Sequence, residues 1–164
     1  MGGRITKAEK QLRPDPRYGD KVLSRFINCV MFDGNKAVAQ RVVYDAMDII
    51  IQKLEKETAE DKPAGPLEIF QLAIEKVKPF VEVRSKRIGG ANYQVPMQVN
   101  KTRQQSLAFR WILEATRGEK GRPMAQRLAD ELYAAAKGEG KAMQTREQTH
   151  RMAEANRAFA HFAN

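Results

Sequence analysis

Arg103, Arg110 and Arg117 are spaced by seven. On a helix that spacing sets three guanidiniums on one line, about 10 Å apart at 1.5 Å per residue. Such a line suits phosphate, because each guanidinium fork donates two parallel hydrogen bonds. Just upstream, Arg84, Lys86 and Arg87 stand close to Gly89-Gly90, with Asn92 and Tyr93 beyond. A basic two-stranded arm that also carries amides and an aromatic ring can enter a groove or follow a phosphate backbone. Lys101, Lys120, Arg122 and Arg127 extend the same block. The plainer alternative is a solvated, cation-rich face.

A second constellation, His150, Glu154, Arg157 and His161, has the types that bind metal or move protons. If all four lie on one helix, the two histidines stand about 16 Å apart, too far for one ion. A solvated polar edge is the better reading. Cys29 lies among apolar residues and reads as a small core side chain, and Trp111 reads as core as well. There is no phosphate-cradling glycine loop, no dinucleotide fingerprint and no nucleophile elbow. Met1-Gly2-Gly3-Arg4-Ile5-Thr6 fits a myristoylation pattern that matches often by chance. An enzyme is not expected, nor a cofactor or a bound metal.

The distribution of charge agrees with the arginine pattern. The chain has 164 residues, 42% hydrophobic and 30% charged, with a net charge of +9. That composition excludes a wholly disordered chain. Residues 1–75 carry 12 basic and 12 acidic side chains, and residues 128–164 carry 5 of each. Residues 76–127 carry 12 basic and 3 acidic, so the whole surplus falls there. Residues 1–25, with 7 basic and 3 acidic, form a smaller positive region. A localised surplus is the footprint of a polyanion partner. The longest apolar run, 26–32, is too short to span a bilayer, so no membrane role is expected. No apolar stretch follows the charged N-terminus, and a single cysteine forms no internal disulfide, so a reducing, cytoplasmic setting is expected.

These side chains need a scaffold. Residues 1–19, with two prolines, three glycines and no apolar period, read as a basic arm ending in turn chemistry at Asp15-Pro16-Arg17-Tyr18-Gly19. A single domain over 20–164 follows. Helices are expected over about 20–31 (capped by Asp20), 36–55 (with Val38, Val42, Ala46, Ile49 and Ile50 inward) and 66–77 (opened by Pro66). Between them, 56–65 is a polar loop. The apolar period then changes from 3.6 to 2 over 80–99, which reads as a hairpin. A three-residue loop of Gly89, Gly90 and Ala91 pairs Val81 with Val99 and Val83 with Met97, keeping like faces together. Its far half has little to bury and should project. Further helices are expected over 101–117 (capped by Asn100 or Thr102), 123–137 and 146–162. The last would be capped by Thr145, with Met152, Ala155, Phe159 and Phe162 as one stripe. The fold class is therefore mainly α, a six-helix domain with a protruding two-stranded antiparallel β-ribbon between helices three and four.

Four segments together carry a family resemblance over 12–162. They are Leu12-Arg13-Pro14-Asp15-Pro16, then Val81-Glu82-Val83-Arg84-Ser85 with Gly89-Gly90-Ala91-Asn92-Tyr93-Gln94-Val95-Pro96, then Met124-Ala125-Gln126-Arg127-Leu128-Ala129, then His150-Arg151-Met152-Ala153-Glu154-Ala155-Asn156. The chain resembles small-subunit ribosomal protein number seven, of the bacterial or organellar type. It departs from that family's usual pattern at Asn35, in the acidic loop 55–65 and in the tail His161-Phe162-Ala163-Asn164.

The resemblance implies a structural protein that binds 16S-type rRNA first and nucleates the head of the small subunit. It implies rRNA contacts at Arg4, Lys10 and Arg13, at Lys36, at Arg84, Lys86 and Arg87, and at Lys101, Arg103, Arg110, Arg117 and Arg122. The ribbon, with Arg84, Lys86, Arg87, Asn92 and Tyr93, would face exit-site tRNA and mRNA. Neighbouring small-subunit proteins would be further partners, and the location would be the cytoplasmic ribosome. The alternative is an architectural DNA-bending protein with a basic β-arm. Against it, Pro96 lies near the base of the ribbon and not at its tip, where a wedge would intercalate.

Overall fold

The computed structural model describes residues 12–56 and 65–163. Six α-helices and one two-stranded sheet follow in order: α1 (Lys21–Val30), α2 (Lys36–Lys56), α3 (Pro66–Val77), β1 (Val81–Ile88), β2 (Ala91–Gln98), α4 (Lys101–Gly118), α5 (Met124–Lys137) and α6 (Lys141–Ala155). A 3₁₀ helix, Arg157–Ala163, closes the described chain. The architecture is the expected helical body with a ribbon between α3 and α4.

The helix ends obey local chemistry. Asp20 Oδ1 accepts the Leu23 N–H at 2.6 Å, which opens α1. Asn100, not Thr102, opens α4, accepting the Arg103 N–H at 2.9 Å. Pro66 takes the first position of α3. Gly138, in the left-handed region at φ 90°, ends α5.

One hydrophobic cluster draws on all six helices. Phe26 lies at its centre, 5.3 Å from the Phe70 ring of α3 and 5.2 Å from the Phe109 ring of α4. Burying a side chain of this size stabilises by about 1.5–3 kcal/mol. The long helix α2 buries Ala39, Val43, Ala46, Met47, Ile50 and Leu54. Val38, expected inward, is 59% exposed, and Val42 is only half-buried. The reason is the run of the two stripes. A line through Val38 and Val42 meets Asp45 and Gln52, whereas the line through Ala39 stays apolar to Leu54.

The hairpin differs from expectation by one residue. Val81 pairs with Gln98, Val83 with Pro96 and Ile88 with Ala91, leaving a two-residue Gly89-Gly90 loop. Both glycines take positive φ, 57° and 90°, which matches the twist of the strands. The expected register assumed that the packed face must be wholly apolar. Instead, Glu82 lies on that face opposite Met97, and Val95 opposite Arg84, with Glu82 and Val95 both buried.

The sixth helix starts earlier and stops earlier than expected. It opens at Lys141 after Gly140, whose φ is 94°. A carboxylate from α5 serves this end: Glu131 Oε1 accepts the Ala142 N–H at 2.8 Å. Thr145 is no cap, since its hydroxyl donates to the Lys141 carbonyl at 3.0 Å inside the helix. Asn156 breaks the helix, and the 3₁₀ segment turns onto the ribbon. The expected stripe is split: Met152 is 50% exposed and Ala155 is exposed, while Ala153 is buried.

Candidate nucleic-acid interface

The two glycines at the tip fix which way each ribbon side chain points. Arg87 and Asn92 oppose each other across the strands, and both are exposed. Arg84, Lys86 and Tyr93 lie on the other face, with Glu82 and Val95, toward the body. The expected set thus divides into an outward pair and an inward trio. The inward trio is held. Lys86 Nζ donates to the Phe162 carbonyl at 2.7 Å. The Tyr93 ring packs 5.2 Å from Phe159 and 5.4 Å from Phe162. The far half of the ribbon therefore does not project bare, because the 3₁₀ helix covers its inner face. Sequence periodicity misses this contact because α6 breaks at Asn156, which changes the phase of the two phenylalanines.

Glu82 joins the ribbon to α4. Arg103 donates from Nε and Nη2 to its Oε2 at 3.2 and 3.1 Å, and Arg84 pairs with its Oε1. A carboxylate 8% exposed between two guanidiniums is compensated on both oxygens. Its role escaped the sequence reading. The available signal was a lone acid in the basic run 76–113.

The arginine line of α4 survives, and its members differ. Arg103 is committed to Glu82. Arg110 is exposed, and among the described residues no carboxylate pairs with it. Arg117, also exposed, donates from Nη2 to the carbonyl of Val30 at 3.3 Å, the last residue of α1. A cation there meets the negative end of the helix dipole. Arg110 and Arg117 line a groove of about 340 Å³ between α1 and α4, with Cys29, Ser106, Phe109, Leu113 and Glu114. Cys29 is therefore exposed and not a core residue. α1 turns its Leu23, Phe26, Ile27 and Val30 face inward, and Cys29 lies off that face. Partial burial still pushes its thiol pKa up.

Lys101 is exposed at the first turn of α4, and Lys36 is exposed at the start of α2. Arg13 is exposed, whereas Arg4 and Lys10 lie outside the described residues. Arg122 is engaged internally, with Glu119 at 3.0 Å and Asp130 at 2.6 Å. Lys141 also pairs with Glu119 at 3.0 Å and Lys53 with Asp130 at 2.5 Å. Lys141 and Arg122 hold the Glu119 carboxyl below its usual range. At Asp130 burial pushes upward, but Lys53 and Arg122 outweigh it, and the net shift is downward.

The turn at the end of the expected arm is built around a buried acid. Asp15, 2% exposed, accepts the N–H groups of Arg17 and Tyr18 at 3.1 and 3.0 Å through Oδ2. Its Oδ1 accepts the Tyr44 hydroxyl at 2.7 Å. Burial, together with that bond, pushes the Tyr44 phenol up to about 12. His150 is a structural acceptor: its Nε2 takes the Phe80 N–H at 3.2 Å. Burial, then Arg146, pushes its pKa down. Among the described residues no group of three His, Cys, Asp or Glu is placed to hold a metal ion, and no helix is long and apolar enough to cross a membrane.

Comparison with known proteins adds an independent line. The sequence model of the family described as Ribosomal protein S7p/S5e matches residues 3–157. The small ribosomal subunit protein uS7 of Rhodopirellula baltica is 60% identical over 98% of this chain and 99% of its own length. The protein of the same name from Thermotoga neapolitana is 52% identical over 97% and 98%. That from Methylobacterium radiotolerans is 46% identical over 99% of both chains. The ribbon, the arginine line and this end-to-end similarity lead to one conclusion: the chain belongs to the ribosomal protein S7p/S5e family, a family of ribosomal proteins and not of enzymes.

Proposed function

We propose that this chain is a structural constituent of the small ribosomal subunit. It binds 16S-type rRNA early and nucleates the head of the subunit around the three-prime major domain. The observation that carries the reading is the similarity, over nearly the full length of both chains, to proteins named for the small subunit. The mechanism is phosphate neutralisation at an RNA junction plus shape recognition by a rigid ribbon. Arg13, Lys36, Arg87, Lys101 and Arg110 supply exposed cations, and Arg4 and Lys10, outside the described residues, add two more in the sequence. Arg84, Lys86, Arg103, Arg117 and Arg122 hold the surface in shape while adding to its field. The outward face at Arg87 and Asn92 lies toward exit-site tRNA and mRNA, and neighbouring small-subunit proteins complete the surroundings in a cytoplasmic ribosome.

Competition binding tests this. A three-prime-domain junction fragment and duplex DNA of equal length are compared at low salt and at about 200 mM, where non-specific phosphate binding weakens. Preference for the junction should persist at the higher salt. Equal or better binding to the duplex overturns the reading in favour of DNA bending by a basic β-arm.

A further inference from the structure

We propose that the groove between the base of the ribbon and α6 is a seat for one unpaired nucleotide, whose base stacks on Phe80. The inference rests on the RNA-binding reading and names what one part of that surface holds. The groove has a volume of about 480 Å³, in the range of small-ligand sites. Phe80 lines it together with Pro96, Met97, Gln98, Glu154 and Arg157. Phe80 is 67% exposed, so its ring is open to a ligand.

The ring is displayed from a pinned backbone. The Phe80 N–H donates to His150 Nε2 at 3.2 Å, and the Phe80 carbonyl accepts the Val99 N–H at 3.1 Å. The His150 ring, also in the groove wall, stands 6.1 Å from the Phe80 ring at an angle of 35°. Arg146 Nε donates to the Lys78 carbonyl at 3.2 Å, which holds its guanidinium 5.9 Å from the centre of the Phe80 ring. An exposed ring with fixed cations beside it has the composition of single-strand binding sites, in which bases stack on aromatics and the backbone follows the charge.

The other groove residues supply what a nucleotide needs besides the stack. Pro96 and Met97 give an apolar wall. The Gln98 amide both donates and accepts, and Glu154 can accept from a base amino group. Arg157 and Glu154 pair at 3.6 Å, but their side chains are 81% and 75% exposed. Such a pair is weak, so Arg157 can turn to a phosphate. Pro96 and Gln98 lie at alternate positions with Asn92, so the groove continues the outward face of the ribbon. An apolar segment of a protein neighbour fits less well, because seating it would strip water from Arg146, Glu154 and Arg157.

The experiment titrates single-stranded hexaadenylate RNA into the full chain and follows the phenylalanine ring protons by NMR. The Phe80 ring signals should move upfield as a base stacks on them. Affinity for the hexamer should fall about tenfold for Phe80→Leu, as expected for one lost stack, and hold for Phe80→Tyr. Thermal midpoints should stay in place for both variants, because the side chain is exposed. Unmoved Phe80 signals, or a Phe80→Leu variant that binds the hexamer as tightly as the wild type, overturn this inference alone and leave the groove to a protein neighbour. Equal or better binding of duplex DNA in the junction competition overturns the RNA reading, and this inference with it.

Discussion

Arg103 reaches from the first turn of α4 and gives two hydrogen bonds, at 3.2 and 3.1 Å, to one oxygen of Glu82. The guanidinium that sequence spacing assigns to phosphate is thus also the hinge pin between ribbon and body. With Arg84 on the other oxygen, the pair fixes the angle at which the ribbon leaves the helices. Glu82→Gln should cost about 1–2 kcal/mol, between the exposed and the buried cases, because Arg103 is 36% exposed and Glu82 is 10% exposed in its side chain. Denaturant unfolding measures the loss. Hydrogen exchange should quicken along 81–98 more than in α5, and equal change in both would show that the clamp is not local.

The arginines of α4 should separate under mutation. Arg110→Ala should leave the thermal midpoint in place and reduce the slope of log affinity against log salt by about 1, as for one lost phosphate contact. Arg103→Ala should lower both stability and affinity. Equal effects on stability would contradict the division between the free and the clamped arginine.

The Asp15–Tyr44 bond makes an alkaline prediction. The Tyr44 phenol is raised from the ordinary 10 to about 12 in the fold. Between those values the unfolded chain loses the proton first, so stability is fully present below pH 10 and is lost as pH rises toward 12. Ultraviolet titration should show a late-ionising tyrosine. Burial raises the Tyr18 phenol as well, so Tyr44→Phe should remove the latest phase and flatten the loss of stability toward pH 12, leaving the lesser rise of Tyr18, and a phase near 12 that persists would place the larger shift elsewhere.

His150 makes the opposite prediction at acid pH. Its pKa is lowered by burial and by Arg146, so the unfolded chain takes up the proton first as pH falls. Its contribution is present above about pH 6.5, the ordinary histidine value, and is lost as pH drops through the lower folded value. Stability measured from pH 7.5 to 5 should slope less in His150→Gln than in the wild type. Proton NMR of the His150 ring should report a midpoint below the ordinary value, and an ordinary midpoint would remove the basis of this prediction.

Helix positions were legible in the sequence wherever caps and apolar stripes agreed. Asp20, Asn100, Pro66 and Gly138 each mark an end that local chemistry alone decides. What was not legible depended on long-range partners. The hairpin register turned on Glu82, a charge buried only because Arg84 and Arg103 meet it. The start of α6 turned on Glu131, a cap delivered by a different helix. The outward turn of Val38 was settled by which of two adjacent stripes on α2 stays apolar longest, and the exposure of Cys29 by its place off the one inward face of α1. For the interface, residue types were readable, since charge and spacing are local. Their division into committed and free cations was not, because it depends on which carboxylate each one finds.

The 3₁₀ helix that packs Phe159 and Phe162 against Tyr93 is made well after the ribbon it covers. At about 5–20 residues per second, some 3–13 s separate the synthesis of Tyr93 from that of Phe159. Over that interval Lys86 and Tyr93 lack the Phe159 and Phe162 partners that cover them in the fold. The inner face is completed by residues far downstream in the chain, so a chain cut short before Phe159 presents a different ribbon surface from one that includes it.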